Sequence, residues 1–387
     1  MRFLFTFMGG NGHFAPLAPI ARAAQQAGHT VAFGCGPHMA PYVAGAGFEV
    51  FALGAPGSAA PLERLPLRPV DLAREEEEFR ERFADGATRR RLPLTLDLCR
   101  TWRPDVLVCD EADFGGILAA ELYGIPSAVV VVLAAGTFAR PGLVGPTLNA
   151  IRAEYGLAPD PELGMLSRYL VLSPVPAAYR DPRFPLPETT HFVRPYTVRA
   201  PAQLPFALAR PAAPTLYFTL GTIFNIESGD LFARVIAGLR ELPVNLVVTL
   251  GNEIDPAELG PQPAHVIVRQ FIPQQELLPH CDAIVSHAGS GSVLGALAHG
   301  LPMLLLPMGA DQPMNADRCA QLGAALTLDP LAATPEQVRD AAQALLQEAR
   351  FRSAAQRLQA EIAAMPPPES AVPLLEELVE RNPSGRS

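Results

Sequence analysis

In both halves of its 387 residues the chain runs from a short apolar stretch through a turn of small residues into a helical stretch and out to another apolar stretch. Strand, helix and strand at that spacing bury their faces as a parallel sheet with a right-handed crossover. In the first half, residues 2–8 read as a strand, 9–13 as a glycine-rich turn, 16–27 as a helix closed by Gly28, and 30–34 as the next strand. The unit repeats over 104–109, 114–123 and 127–133. Prolines crowd residues 179–214, which read as a linker. The alternation then restarts, with strands at 215–220 and 244–250 around a helix at 230–239. Strands at 266–269, 283–286 and 303–307 follow, with helices at 293–299 and 315–322. With 49% hydrophobic and 18% charged residues, two cores can be buried. The expectation is an α/β protein of two Rossmann-like domains, 1–205 and 212–366, with a last helix in 369–387 crossing back onto the first.

All 30 basic residues are arginine. Without lysine there is no Schiff base, no pyridoxal phosphate attachment and no P-loop lysine. A net charge of −9 argues against nucleic acid as a partner. The five cysteines lack paired spacing and read as buried thiols of a reducing, cytoplasmic compartment. Residues 2–8 are too short an apolar run for a signal peptide, and the run 125–136 is broken by Pro126 and too short to span a bilayer, so stable membrane insertion is not expected. The stretch 74–91, with its EEEE and RRR runs, reads as a solvated amphipathic helix.

Gly10-Asn-Gly12-His-Phe-Ala15 follows the first strand and matches the dinucleotide pattern GxGxxA. That reading needs a carboxylate at the end of the second strand to hold a ribose. The strand ends in Phe33-Gly-Cys-Gly-Pro37, and the first acid after it is Glu49, so the nicotinamide reading is set aside. What remains is His13, at the carboxyl end of a strand and near a helix start, where open α/β sheets bind ligands. It is a candidate base, with a helix-cap role as the plain alternative. Gly12 and Phe14 beside it are candidates for touching an acceptor.

In the second half, Ser286-His-Ala-Gly-Ser-Gly-Ser292 ends a strand and leads into a helix expected to start near Val293. Amides and hydroxyls of Gly289, Ser290, Gly291 and Ser292 then form an anion site that suits a diphosphate. With Arg269-Gln-Phe-Ile-Pro-Gln274, Gly300-Leu-Pro302 and Asp311-Gln-Pro-Met-Asn315, this block resembles the nucleotide-sugar signature of the family 1 glycosyltransferases of GT-B fold, especially the bacterial natural-product and macrolide type. The turn at His13 and the acid Asp110 extend the likeness into the first half.

The resemblance implies two Rossmann-like domains facing across a cleft and an inverting, metal-independent transfer from a UDP- or dTDP-sugar to a hydroxyl of a small aromatic or polyketide-like molecule. His13 matches the base and Asp110 the carboxylate that orients it, with Asp113 a nearby competitor and a further candidate for touching an acceptor. Phe271 stands where an aromatic residue packs on the nucleobase, Ile272 offers backbone groups to its edge, and Gln274 closes that motif. His287 and Gly289–Ser292 match the diphosphate cradle, Gly221 and Thr222 a small-residue loop near phosphates or sugar, and Asp311 and Gln312 the pair that bonds sugar hydroxyls. The family often carries a Glu where this chain has Gly295; its loss removes a ribose ligand and tilts the donor toward 2′-deoxyribose. No cofactor beyond the nucleotide sugar and no metal ligands are expected.

Acceptor contacts are expected from variable loops of the first domain, at residues 56–68, 74–91 and 140–152. The oligomeric state is left open by the residues, a homodimer included. Two other readings stand beside this one: a GT-B enzyme acting on lipid or sterol acceptors, and a catalytically inactive relative serving as a partner protein. Either would favour changes at His13 or the cradle, or an apolar or basic membrane-facing patch.

Overall fold

The computed structural model describes residues 1–55, 64–195, 204 and 206–382. The chain divides into two compact units. Met1–Ala59, Ala73–Thr197 and Met365–Ser387 form the first, and Ala60–Leu72 with Val198–Ala364 the second.

The first unit holds a seven-stranded sheet of β1 (Arg2–Thr6), β2 (Thr30–Cys35), β3 (Glu49–Ala52), β4 (Val106–Asp110), β5 (Ser127–Val130), β6 (Leu170–Ser173) and β7 (Thr190–Phe192). Their order is β3-β2-β1-β4-β5-β6-β7, all parallel. Strands covered by helices on both faces read as continuous apolar runs, as in Phe3-Leu-Phe5 and Val106-Leu-Val108, all fully buried. Phe3, Phe5, Phe7, Phe14, Phe33 and Phe48 build the core on one face, and the helix Ala371–Arg381 adds Ala371, Val372, Leu375, Leu378 and Val379 to it. His29 stacks on Phe3 at 4.4 Å and places Nε2 3.0 Å from Glu376 of that same helix.

In the second unit lie β8 (Thr215–Thr219), β9 (Asn245–Thr249), β10 (Val266–Arg269), β11 (Ala283–Ser286), β12 (Met303–Leu305) and β13 (Ala325–Thr327). They form a parallel six-stranded sheet in the order β10-β9-β8-β11-β12-β13. In each sheet the strand order reverses beside the first strand, so β1/β4 and β8/β11 are the two points where successive connections leave to opposite sides and open a crevice at the carboxyl ends.

Several expectations are corrected. Residues 64–72 belong with the second unit, because Leu65 donates to Ile226 and accepts from Gly229 through the backbone. Inside the expected linker, β7 completes the first sheet; its neighbouring prolines suit an edge strand, where one side needs no ladder. Residues 74–91 are not one solvated helix. Leu72–Glu78 is α-helical, Phe79–Ala87 π-helical and Thr88–Trp102 α-helical again, with Arg91 buried. Residues 141–154 form a helix, not a loop, and its Arg152 is buried against Glu121 at 2.7 Å. Residues 56–63 of the expected acceptor loops lie outside the described residues.

The five cysteines are buried and none is in a disulfide, and burial pushes the Cys99 thiol up to about 12, so it packs as a small apolar group. Among the described residues no helix is long and apolar enough to cross a membrane.

Candidate active site

The first unit brings His13 and Asp110 together at its own crevice. β1 ends at Thr6, and the helix Asn11–Gln26 begins five residues later, earlier than the sequence pattern indicates. Prolines at 16 and 19 lie inside the helix, beyond its first turn, and hide that turn from a composition-based reading because interior proline is disfavoured. His13 therefore sits inside the first turn and faces the end of β4. Its Nδ1 lies 3.1 Å from Asp110 Oδ2. Asp110 is fully buried and also accepts the N–H groups of Met8 at 2.7 Å and Ala112 at 2.6 Å. A carboxylate held by three donors keeps the proton on Nδ1 and turns the lone pair of the imidazole to Nε2, an assignment made from the hydrogen-bond pattern.

Gly9 completes the arrangement and was missed from sequence. Its φ is +97°, and a Cβ there would fall 2.8 Å from His13 Cδ2. The signal was present in the doubled glycine, but only the structure shows that the first of the two meets the imidazole.

Two acceptor-side expectations fail. Phe14 is 4% exposed and packs among Phe7, Phe33, Phe48 and Tyr42, because a helix residue next to His13 is turned about 100° away from it, here toward the sheet. Asp113 is fully buried, pairs with Arg91 at 2.9 Å, and caps the helix Phe114–Tyr123 through Gly116 N–H. It neither reaches an acceptor nor competes for His13. Gly12 is exposed, with open space where a Cβ would stand.

The second unit assembles the other group at β8/β11. Gly289 is the N-cap of the helix Ser290–Ala298, which thus starts three residues before the expected Val293 and takes Ser290, Gly291 and Ser292 into its first turn. Amide dipoles converge there, and an anion is their complement. The left-handed residues Ala288 (φ +66°) and Ala310 (φ +49°) flank this mouth, strained backbone of the kind that clusters at ligand sites.

The His287 ring fits against two glycines: a Cβ on Gly221 (φ +76°) would fall 2.6 Å from its Nε2, and one on Gly289 2.5 Å. Burial pushes its pKa down to about 4, so it offers a dipole and no positive charge near neutral pH. Its Nδ1 is buried without a partner among the described residues.

Ser290 Oγ donates to Asp311 Oδ2 at 2.6 Å, and Asn315 Nδ2 donates to Asp311 Oδ2 at 2.8 Å and to Ala288 O at 3.0 Å. Asn315 was quoted in the motif without a role; here it ties the strained Ala288 to the carboxylate. Gln312 is 2% exposed and its Oε1 accepts Met308 N–H, so that oxygen braces the loop and is not offered to a sugar. Gln274 donates to Ser292 Oγ at 3.2 Å. Phe271 is 49% exposed, so it is not a core aromatic, while Ile272 is buried. Thr222 is exposed at the exit from β8. His299 caps the far end of the cradle helix, its Nδ1 2.9 Å from Gly295 O.

A family model described as the erythromycin biosynthesis protein CIII-like, C-terminal domain, matches residues 233–378. The L-demethylnoviosyl transferase of Streptomyces niveus is 30% identical over 378 residues, which cover 95% of this chain and 96% of that protein. The chain belongs to the GT-B natural-product glycosyltransferases. The demethyllactenocin mycarosyltransferase of Streptomyces fradiae is 27% identical to this glycosyltransferase over 97% of its length and 86% of its own. Among solved structures, the spinosyn rhamnosyltransferase SpnG complexed with thymidine diphosphate superposes with a TM-score of 0.81 at 26% identity, over 97% of this chain and 100% of that one. SnogD from Streptomyces nogalater gives 0.77 at 27% identity, over 98% and 99%.

The crowding at His287 yields a first prediction for the glycosyltransferase. Gly289→Ala is expected to weaken thymidine or uridine diphosphate binding about 10–100-fold, or about 1.4–2.8 kcal/mol, because the closely fitted His287 ring must move. Calorimetric titration of the diphosphate checks it; wild-type affinity would mean that the His287 position is irrelevant to the donor.

Proposed function

We infer that this glycosyltransferase carries a sugar from a thymidine or uridine diphosphate donor to a hydroxyl of a small aromatic or polyketide-like acceptor, with inversion and without a metal. The observation that carries the reading is the contact of His13 Nδ1 with buried Asp110, in the first turn of a helix at the β1/β4 crevice. The acceptor hydroxyl gives its proton to Nε2 as its oxygen forms the bond to the anomeric carbon. The bond from that carbon to the diphosphate oxygen breaks on the opposite face, and its electron pair leaves with the diphosphate. Asp110 stabilises the imidazolium.

The second unit has the complementary task. Phe271 offers a face to the nucleobase and Ile272 its backbone. The first turn at Gly289–Ser292 meets the diphosphate with N–H dipoles, which take up charge on the leaving oxygens directly. Asp311, held by Ser290 and Asn315, is placed to accept from sugar hydroxyls. Gly295 brings no carboxylate for a ribose diol, which favours thymidine diphosphate. The names of two relatives favour it as well: the TDP-daunosamine transferase DnrS of Streptomyces peucetius, 27% identical, and SpnG with its bound thymidine diphosphate. A polyketide-like acceptor accords with the tylactone mycaminosyltransferase of Streptomyces fradiae, also 27% identical.

The test is a panel of dTDP- and UDP-sugars against aromatic and macrolide alcohols, run with and without EDTA and read by mass spectrometry, with the anomeric configuration taken from proton couplings. Turnover unchanged by EDTA and an inverted product are expected. A strict need for added magnesium, or retained configuration, would overturn the mechanism.

A further inference from the structure

Nine residues, Phe79–Ala87, are π-helical. Such geometry is rare, normally lasts a single turn, and is frequent at functional sites. It holds two aromatic rings four residues apart in near-parallel contact, Phe79 and Phe83, with centroids 5.0 Å apart and planes at 16°. Phe83 lies near-parallel to the His13 imidazole in its turn, at 6.0 Å and 22°.

The series is anchored at its other end. Phe79 is buried and touches Phe138 at 5.0 Å and the edge of Phe114 at 6.3 Å. Phe114 opens the helix that follows Asp110 by four residues. Contacts therefore run from Asp110 to His13, on to Phe83 and Phe79, and back through Phe114 to the exit of β4. The hydrogen bond at Nδ1 fixes one edge of the imidazole, and a hydrogen bond at a ring edge constrains the tilt of the ring plane only weakly. A ring on its face removes that freedom, and aromatic pairs at this spacing prefer parallel-offset geometry.

We propose that Phe83 is a positioning residue for His13: it holds the plane of the imidazole so that Nε2 stays aimed at the acceptor hydroxyl, and its π face stabilises the imidazolium as it forms. This rests on the reading of His13 as the base. Phe83 is only partly buried, so apolar burial alone does not account for a flat ring at this place.

The experiment compares Phe83→Leu, which keeps apolar bulk, with Phe83→Tyr, which keeps the ring, and with Phe83→Met should the leucine variant fold poorly. The leucine or methionine variant is expected to lose about 10–100-fold in kcat on an aliphatic alcohol acceptor, the scale of a small misplacement of a reacting group, with KM for the nucleotide sugar unchanged. The tyrosine variant should restore kcat, and an acidic phenol, which ionises unaided, should show a much smaller loss. Full kcat in the leucine variant, equal losses on alcohol and phenol, or a tyrosine variant as slow as leucine would overturn the role. His13→Ala is measured in parallel. If it keeps the alcohol rate, the base reading falls and this proposal with it; if it loses the rate while Phe83→Leu does not, only the role of Phe83 is rejected.

Discussion

His13→Ala is expected to lower kcat on alcohol acceptors by about 10²–10⁴-fold, the usual contribution of a positioned general base. An alkyl alcohol is a poor nucleophile until its proton moves, and the imidazole held at 3.1 Å by Asp110 is the group arranged to take it. The choice of acceptor decides whether the experiment is informative. A phenol of low pKa is already partly ionised and bypasses the base, so its rate should fall far less. Donor affinity, measured separately with the nucleoside diphosphate, should not move, because His13 belongs to the first unit and the cradle to the second. A variant that turns over an alkyl alcohol at the full rate would remove His13 from the chemistry.

A loss of comparable size, this time in stability, is expected for Asp113→Ala. The Arg91 guanidinium is 6% exposed, and its partner Asp113 is fully buried. Deleting the carboxylate leaves a buried cation unpaired, which costs about 3–5 kcal/mol, a large share of what typically holds a domain folded. Losing the cap on the helix Phe114–Tyr123 adds to that penalty. Urea unfolding of the full chain measures it. Asp113→Asn keeps an oxygen for the cap and should recover part of the loss. The active-site pair is a separate group of contacts, so kcat of the folded fraction should stay close to wild type. A variant as stable as wild type would mean that Arg91 finds another anion.

How far the residues alone carried the reading depends on what each position had to do. Strands such as Val106–Asp110 were legible because a parallel strand covered on both faces must be apolar throughout. His13 and the 286–292 loop were legible because glycines and small residues at a strand end mark a turn into a helix. Helix starts were misplaced in the same direction at both sites. Pro16 obscured the first, and the glycines and serines at 289–292 obscured the second, since these residues favour turns unless a sheet holds them. Phe14 and Asp113 were misread because proximity in sequence says nothing about which side of a helix or strand end a side chain takes. The π-helical stretch was invisible: the charge runs that flank it match an ordinary solvated helix, while the aromatic contacts that fix it come from residues as distant as Phe114 and Phe138.

The helix Ala371–Arg381 has a consequence for how the chain matures. Five of its side chains complete the apolar layer against the first sheet, although β1 is synthesised well before it. On the ribosome the strands of the first sheet therefore keep an incomplete layer until this helix emerges. The second sheet, drawn wholly from residues between Thr215 and Thr327, has all its strands before that point. Of the two sheets, the one begun earlier is the one completed later.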